Sequence, residues 1–180
     1  MDRLKKAALL TRLIEKLRER GSWCGETHVQ KAAFLLQELM RVPLEYDFVL
    51  YKHGPFSFDL RDELTSLRAD GLITLEPQWP YGPKLRPTAR AQYIQDLNTN
   101  TVTHYDGKIA FVVEMLGDKD VSVLERLATA LYVTQQAKDS SVEARVKRLT
   151  ELKPHISQSL AKEAVEEIDR ISQAAKGHLH

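Results

Sequence analysis

One cysteine, Cys24, stands among 180 residues. A lone thiol forms no intramolecular disulfide, which suits a reducing cytoplasm. No apolar run approaches the roughly eighteen residues that a membrane-spanning helix needs. Charged residues break up the stretch after the basic Met1–Lys6 start, where a secretory signal requires an unbroken apolar segment. An excess of one charge is also missing. Twenty-six Lys and Arg against 25 Asp and Glu leave a net charge of +1. Bulk attraction cannot hold nucleic acid at that value, so only a local basic face could do so. The eight glycines are scattered and form neither a Walker loop nor a dinucleotide fingerprint. Internal repeats and low-complexity segments are absent. What remains is 43% hydrophobic and 28% charged residues, the composition of an ordinary globular protein. The length suits one well-filled domain, or a small domain with a helical extension.

The apolar spacing predicts helices throughout. Between Asp2 and Arg20, the residues Leu9, Leu10, Leu13, Ile14 and Leu17 form a stripe at helical period, and Gly21 ends it. A second helix, with Thr27 as the expected N-cap, runs to about Met40. Val29, Ala32, Ala33 and Leu36, widened by Phe34, Leu35 and Leu39, make it apolar almost all round, which places it at the centre. Phe48–Tyr51 reads as a short strand broken by Gly54-Pro55. Ser57 is placed to cap a third helix carrying Leu60, Leu64 and Leu67, with Gly71 at its end. Leu72–Leu75 and Lys84–Pro87 read as two strands around the Trp79–Pro83 turn, and Thr88 caps a helix to about Leu97. Helix, helix, strand, helix and a two-stranded wing is a winged-helix order with one helix added.

The polar stretch starting at Asn98 is the best internal boundary. The expected division is a winged-helix-like region over 1–97, a polar connector over 98–104, and C-terminal helices over 105–175 completing a shared core as one folding unit. Ile109 to Leu116, Leu124 to Leu131 (with Ser122 as cap), Val142 to Leu149 (closed by Pro154) and Leu160 to Ile171 mark these helices. The fold class is therefore mainly α, α+β in detail, with a small winged β-element and a C-terminal helical bundle.

Three segments carry a family resemblance: the Gln30-Lys31 helix, the Tyr51-x-x-Gly54-Pro55-Phe56-Ser57 turn, and the Leu64/Leu67/Gly71/Leu72/Ile73 run. They resemble the YwgA-like bacterial proteins and the related Panacea (SocA-like antitoxin) domain, where a Lys-Leu-Gln-Lys helix precedes a Tyr-Gly-Pro-Tyr-Ser turn. Leu124-Glu125-x-x-Ala128-Thr129 and Leu152-Lys153-Pro154-His155-Ile156 are similar to segments of the YwgA-like branch. The likeness covers roughly residues 5 to 170. This chain departs from the pattern at His53, where Tyr or Phe is common, and at Val29, where Leu is. The resemblance implies a prokaryotic or phage protein of the toxin–antitoxin and phage-defence neighbourhood, and it implies no reaction.

The chemistry-bearing residues support the same emphasis. Cys24 and His28 lack an orienting partner and an oxyanion hole, so Cys24 reads as a loop cysteine. The terminal His178-Leu179-His180 has no companion ligands at metal spacing. No catalytic residue, metal or cofactor is therefore assigned. Lys31 and Glu125 each sit on an otherwise apolar helix, either as an ion pair or as two solvent-facing charges. The candidate partner-binding set is Gln30, Lys31, Tyr51, His53, Gly54, Pro55 and Ser57, a groove between helix and turn that would hold a segment of a protein partner. The alternative is nucleic acid, bound by Trp79, Tyr81, Lys84, Arg86 and Arg90 on the wing, where cations stand beside aromatic rings, together with the basic first helix. The third helix is a poorer reader, because Asp59, Asp62 and Glu63 stand against Arg61 and Arg68.

Overall fold

A computed structural model describes residues 1–179. The elements run α1 (Arg3–Glu19), α2 (Glu26–Glu38), β1 (Val49–Tyr51), β2 (Gly54–Phe56), α3 (Phe58–Ala69), β3 (Ile73–Gln78), β4 (Tyr81–Pro87), α4 (Ala89–Leu97), α5 (Thr99–Leu116), α6 (Val121–Gln136), α7 (Val142–Leu152) and α8 (Gln158–Ala175), then a short 3₁₀ turn. The protein is mainly helical, with two separate antiparallel hairpins.

α1 buries the predicted leucine stripe and packs on α4 and α5. α2 is buried continuously from His28 to Leu36, as its apolar circumference requires. Its neighbours are α5 on one side and α6 with β2 on another. α6 also holds α7 and α8. Apolar residues from Ala7 to Ala175 join in one contiguous core, and Phe34 of α2 meets Tyr132 of α6 with ring centres 6.5 Å apart. The two halves of the chain thus complete each other.

Several local expectations hold. The Ser57 hydroxyl accepts from the Leu60 N–H and opens α3, and the Thr88 hydroxyl does the same for α4. Gly71 ends α3 at φ +70°, in the left-handed region that glycine enters without steric cost. The β3–β4 wing pairs Ile73 with Pro87 and Glu76 with Lys84, with an irregularity before Gln78.

Others are corrected. Residues 98–104 are not a connector, because α5 begins at Thr99. The Asn98 amide donates to the Ile94 carbonyl and the Thr99 hydroxyl to that of Asp96, so these polar side chains cap α4 at a tight helix–helix corner. α2 starts after Gly25, two residues before the start expected from a Thr27 cap. α6 is capped by Asp120, whose carboxylate accepts from the Val123 N–H and from the hydroxyl of Ser122, the expected cap. Gly54-Pro55 does not end a strand but forms the returning one, pairing Tyr51 with Gly54 and Val49 with Phe56 around Lys52-His53.

Candidate functional site

α2 places polar side chains at Gln30, Lys31 and Gln37, and all three serve the segment that follows. A primary amide offers one donor and one acceptor, the complement of a backbone peptide pair. Gln30 uses both on Ser57, donating to its carbonyl and accepting from its N–H, each at 2.9 Å. Gln37 repeats the arrangement on Tyr46, at 2.9 and 2.8 Å. Between them the Lys31 ammonium donates to the Pro55 carbonyl at 2.8 Å. Lys31 is only 1% exposed, and burial pushes its pKa down to about 8, opposed chiefly by the negative charge of Glu125. These bonds satisfy backbone groups that a short hairpin cannot pair internally.

A second lysine holds the other side of the hairpin. Lys153, just after α7, donates to the carbonyls of Tyr51 and Lys52, both at 2.7 Å. Its ammonium also lies 3.0 Å from Glu125 Oε1. That oxygen has compensating charge but no well-aligned donor. The suggested Lys31–Glu125 ion pair is corrected accordingly: Glu125 pairs with Lys153, while Lys31 bonds a carbonyl. His155 Nε2 stands 3.3 Å from Glu125 Oε1, and His53 Nδ1 stands 3.8 Å from Oε2. Among the described residues no cluster of three or more His, Cys, Asp or Glu side chains is arranged to hold a metal ion.

Gly54 is where hairpin and α6 meet most closely. Its φ is +85°, and a Cβ there would fall 3.0 Å from Thr129 Oγ1 and 3.3 Å from the Glu125 carbonyl. Both the backbone angle and the contact require glycine.

All seven residues of the predicted partner-binding set converge on this hairpin, but at different depths. Gln30, Lys31, Gly54, Pro55 and Ser57 are buried, whereas Tyr51 and His53 face solvent. The expected groove between α2 and the turn does not exist, since the 2.8–2.9 Å hydrogen bonds close it. The outer surface joins Tyr51 of that set to aromatic residues outside it. Tyr51, Phe56 and Phe58 form a mutual cluster with ring centres 5.2–5.6 Å apart. Tyr51 and Phe58 are 55% and 42% exposed, Val49 joins them at 41%, and the Arg61 guanidinium lies 5.1 Å from the Phe58 ring centre. The signal for it was present: Tyr51, Phe56 and Phe58 flank a hairpin turn and a helix start, which brings one strand residue next to two others.

The wing set is also in place but differently charged than expected. Trp79 at its tip is 91% exposed and Tyr81 is 69% exposed. Arg86 pairs with Glu76 at 2.9 Å, and Arg18 of α1 takes the other oxygen of that carboxylate. Lys84 lies 4.2 Å over the Trp23 ring, and Arg90 packs beside Gly71. Cys24 lies in the loop between α1 and α2, as expected, but its side chain is part of the core. It is fully buried, its sulfur faces the Ile14 carbonyl, and burial pushes its pKa up to about 12. A thiol so held is a poor nucleophile. His28 is buried too, and desolvation lowers its pKa.

Compared with protein-family models and with curated proteins, the chain matches none.

Proposed function

We propose that the chain is a non-enzymatic, cytoplasmic protein-interaction module that acts as an antitoxin-like or regulatory partner in a toxin–antitoxin or phage-defence setting. The observation that carries this reading is the exposed Tyr51/Phe56/Phe58 cluster on a hairpin held from below by Gln30, Lys31 and Lys153. Large aromatic rings dominate protein interfaces because each buries much area for little lost side-chain freedom. Ordering them before binding lowers the entropic cost of association. A hairpin fixed by buried charged hydrogen bonds supplies that order. The motif resemblance supports the biological setting, and the single buried thiol suits a reducing compartment.

The test is affinity capture from the native host with the full chain and with Tyr51→Ser/Phe58→Ser, analysed by mass spectrometry. Both side chains are largely exposed, so the variant should melt within a few degrees of wild type. A specific partner retained by wild type and lost from the variant is the expected result. Equal retention by both proteins would exclude the aromatic face.

The wing supports a second reading, nucleic-acid binding, through the exposed Trp79 ring at its tip. Base stacking on such a ring contributes about 1–3 kcal/mol. Fluorescence anisotropy with single- and double-stranded DNA, at two salt concentrations, separates this reading from the first. Trp79→Ala should weaken any binding about tenfold or more.

A further inference from the structure

A second concave feature lies next to the aromatic cluster, not within it. A groove of about 810 Å³ runs over the start of α2, between α3, the base of the wing and the α5–α6 corner. That volume lies within the range of sites that enclose a drug-sized ligand or a few residues of peptide. Its apolar lining includes Leu64 and Leu85, both nearly inaccessible, with the half-buried Leu75 and Trp23.

The charges along it are sorted by element. α3 contributes Arg61, Leu64, Thr65 and Arg68, successive positions on one helical face, while Asp62, Glu63 and Asp59 do not line the groove. Of the acids that seemed to spoil this helix, Glu63 pairs with Arg3 and Asp62 with Arg61. Arg68 is left without a carboxylate partner among the described residues. The start of α2 and the α5–α6 corner contribute Glu26, Asp118 and Asp120, three carboxylates against the single cation Lys119. Asp120 is used as the α6 cap, and Asp118 lies 3.9 Å from Lys119, so Glu26 and Asp118 are the carboxylates with capacity to spare.

Such a groove discriminates against simple ions. A small anion drawn to Arg68 would also meet Glu26 and Asp118, and a small cation would meet the arginines. A short chain with both signs, separated by apolar side chains, satisfies each wall and covers the leucines between. We infer that this groove receives a short segment of the protein partner, with an acidic residue seated by Arg68 and a basic residue seated by Glu26 and Asp118. The inference rests on the partner-binding reading above and extends it, because Arg61 joins the two surfaces: it covers the Phe58 ring and lines the groove.

The test starts from a random heptapeptide phage library selected on the immobilised full chain, followed by anisotropy on the synthesised winners. Enriched peptides should carry one acidic and one basic residue flanking apolar ones. Arg68→Glu should weaken them at least tenfold, and replacing the acidic residue of the peptide by Lys should restore most of the loss on that variant. Thermal melts verify that Arg68→Glu, an exposed substitution, remains folded. Lys162→Ala, exposed on α8 and outside the groove, should leave heptapeptide affinity unchanged. No enriched sequence, or peptides that bind Arg68→Glu as tightly as wild type, would overturn the groove assignment. If peptides bind as expected while the captured partner ignores Tyr51→Ser/Phe58→Ser, the groove stands and the aromatic face fails.

Discussion

The Lys153 ammonium lies 2.7 Å from the carbonyl oxygen of Tyr51, a residue 102 positions earlier in the chain. The same ammonium reaches the Lys52 carbonyl and the Glu125 carboxylate. One side chain from the C-terminal half therefore fixes both the exit of β1 and the buried charge of α6. Lys153 and Glu125 are each less than 10% exposed, so neither can be relieved by water when the other is lost.

Lys153→Met is expected to destabilise the fold by roughly 3–5 kcal/mol, the usual cost of stranding a buried charge. Adding Glu125→Gln should recover part of that loss, because the uncompensated carboxylate is then gone. Urea unfolding of the two single variants and the double variant gives the cycle. Strict additivity would mean that the two groups do not interact.

Lys31 sets a pH dependence of unusual sign. Its folded pKa falls from 10.5 to about 8. Between those values the unfolded chain holds a proton that the folded chain has released, so this residue makes stability rise with pH across that window. Above about pH 9, Cys24 and Tyr46 act in the opposite direction, because burial keeps their protons on in the folded state. Comparing wild type with Lys31→Met removes that background. Wild type should gain on the variant between pH 8 and 10, by at most about 1.4 kcal/mol per pH unit. Parallel stability profiles would refute the depressed pKa.

Gly54→Ala should be costly although it adds one methyl group. The left-handed backbone angle contributes about 1–2 kcal/mol, and crowding against Thr129 and the Glu125 carbonyl adds about 1–3 kcal/mol. The same substitution at Gly82, where a Cβ meets nothing within 4 Å, serves as the control. Denaturation midpoints that shift equally at both sites would contradict the close approach.

Residues 1–100 expressed alone should not reach the native state. α2 and β2 both pack on α6, and the core draws on apolar residues from α5 to α8. Amide NMR spectra are expected to show poor dispersion. A well-dispersed, stable spectrum would establish an independent N-terminal domain.

How much of this was legible depends on range. Ser57, Thr88 and Gly71 act within a few residues of their own positions, and the sequence exposed all three. The apolar circumference of α2 was equally plain. Asn98 and Thr99 misled because polar residues that cap a helix and polar residues that link domains have the same composition. The α2 groove failed for a related reason: Gln30 and Lys31 were correctly paired with the Tyr51–Ser57 turn, but hydrogen bonding drew the two together until nothing could enter. Lys153 was invisible to local reasoning, since no spacing rule connects positions 102 apart, although the Leu152–Ile156 segment that contains it was among those carrying the resemblance. The sorting of charge on α3 required the partners of each carboxylate, which only the assembled molecule supplies.

The lock on the hairpin also has an order in time. During synthesis the strands holding Tyr51 and Phe56 leave the ribosome long before Lys153 exists. At about 5–20 residues per second, the interval is roughly 5–20 s. For that period the nascent chain carries its aromatic rings without the ammonium that fixes them, and Lys31 has no Glu125 to oppose its desolvation until α6 follows. Stop codons or clips ahead of position 153 therefore leave a product that has every residue of the aromatic cluster but lacks the ammonium that holds the Tyr51 and Lys52 carbonyls.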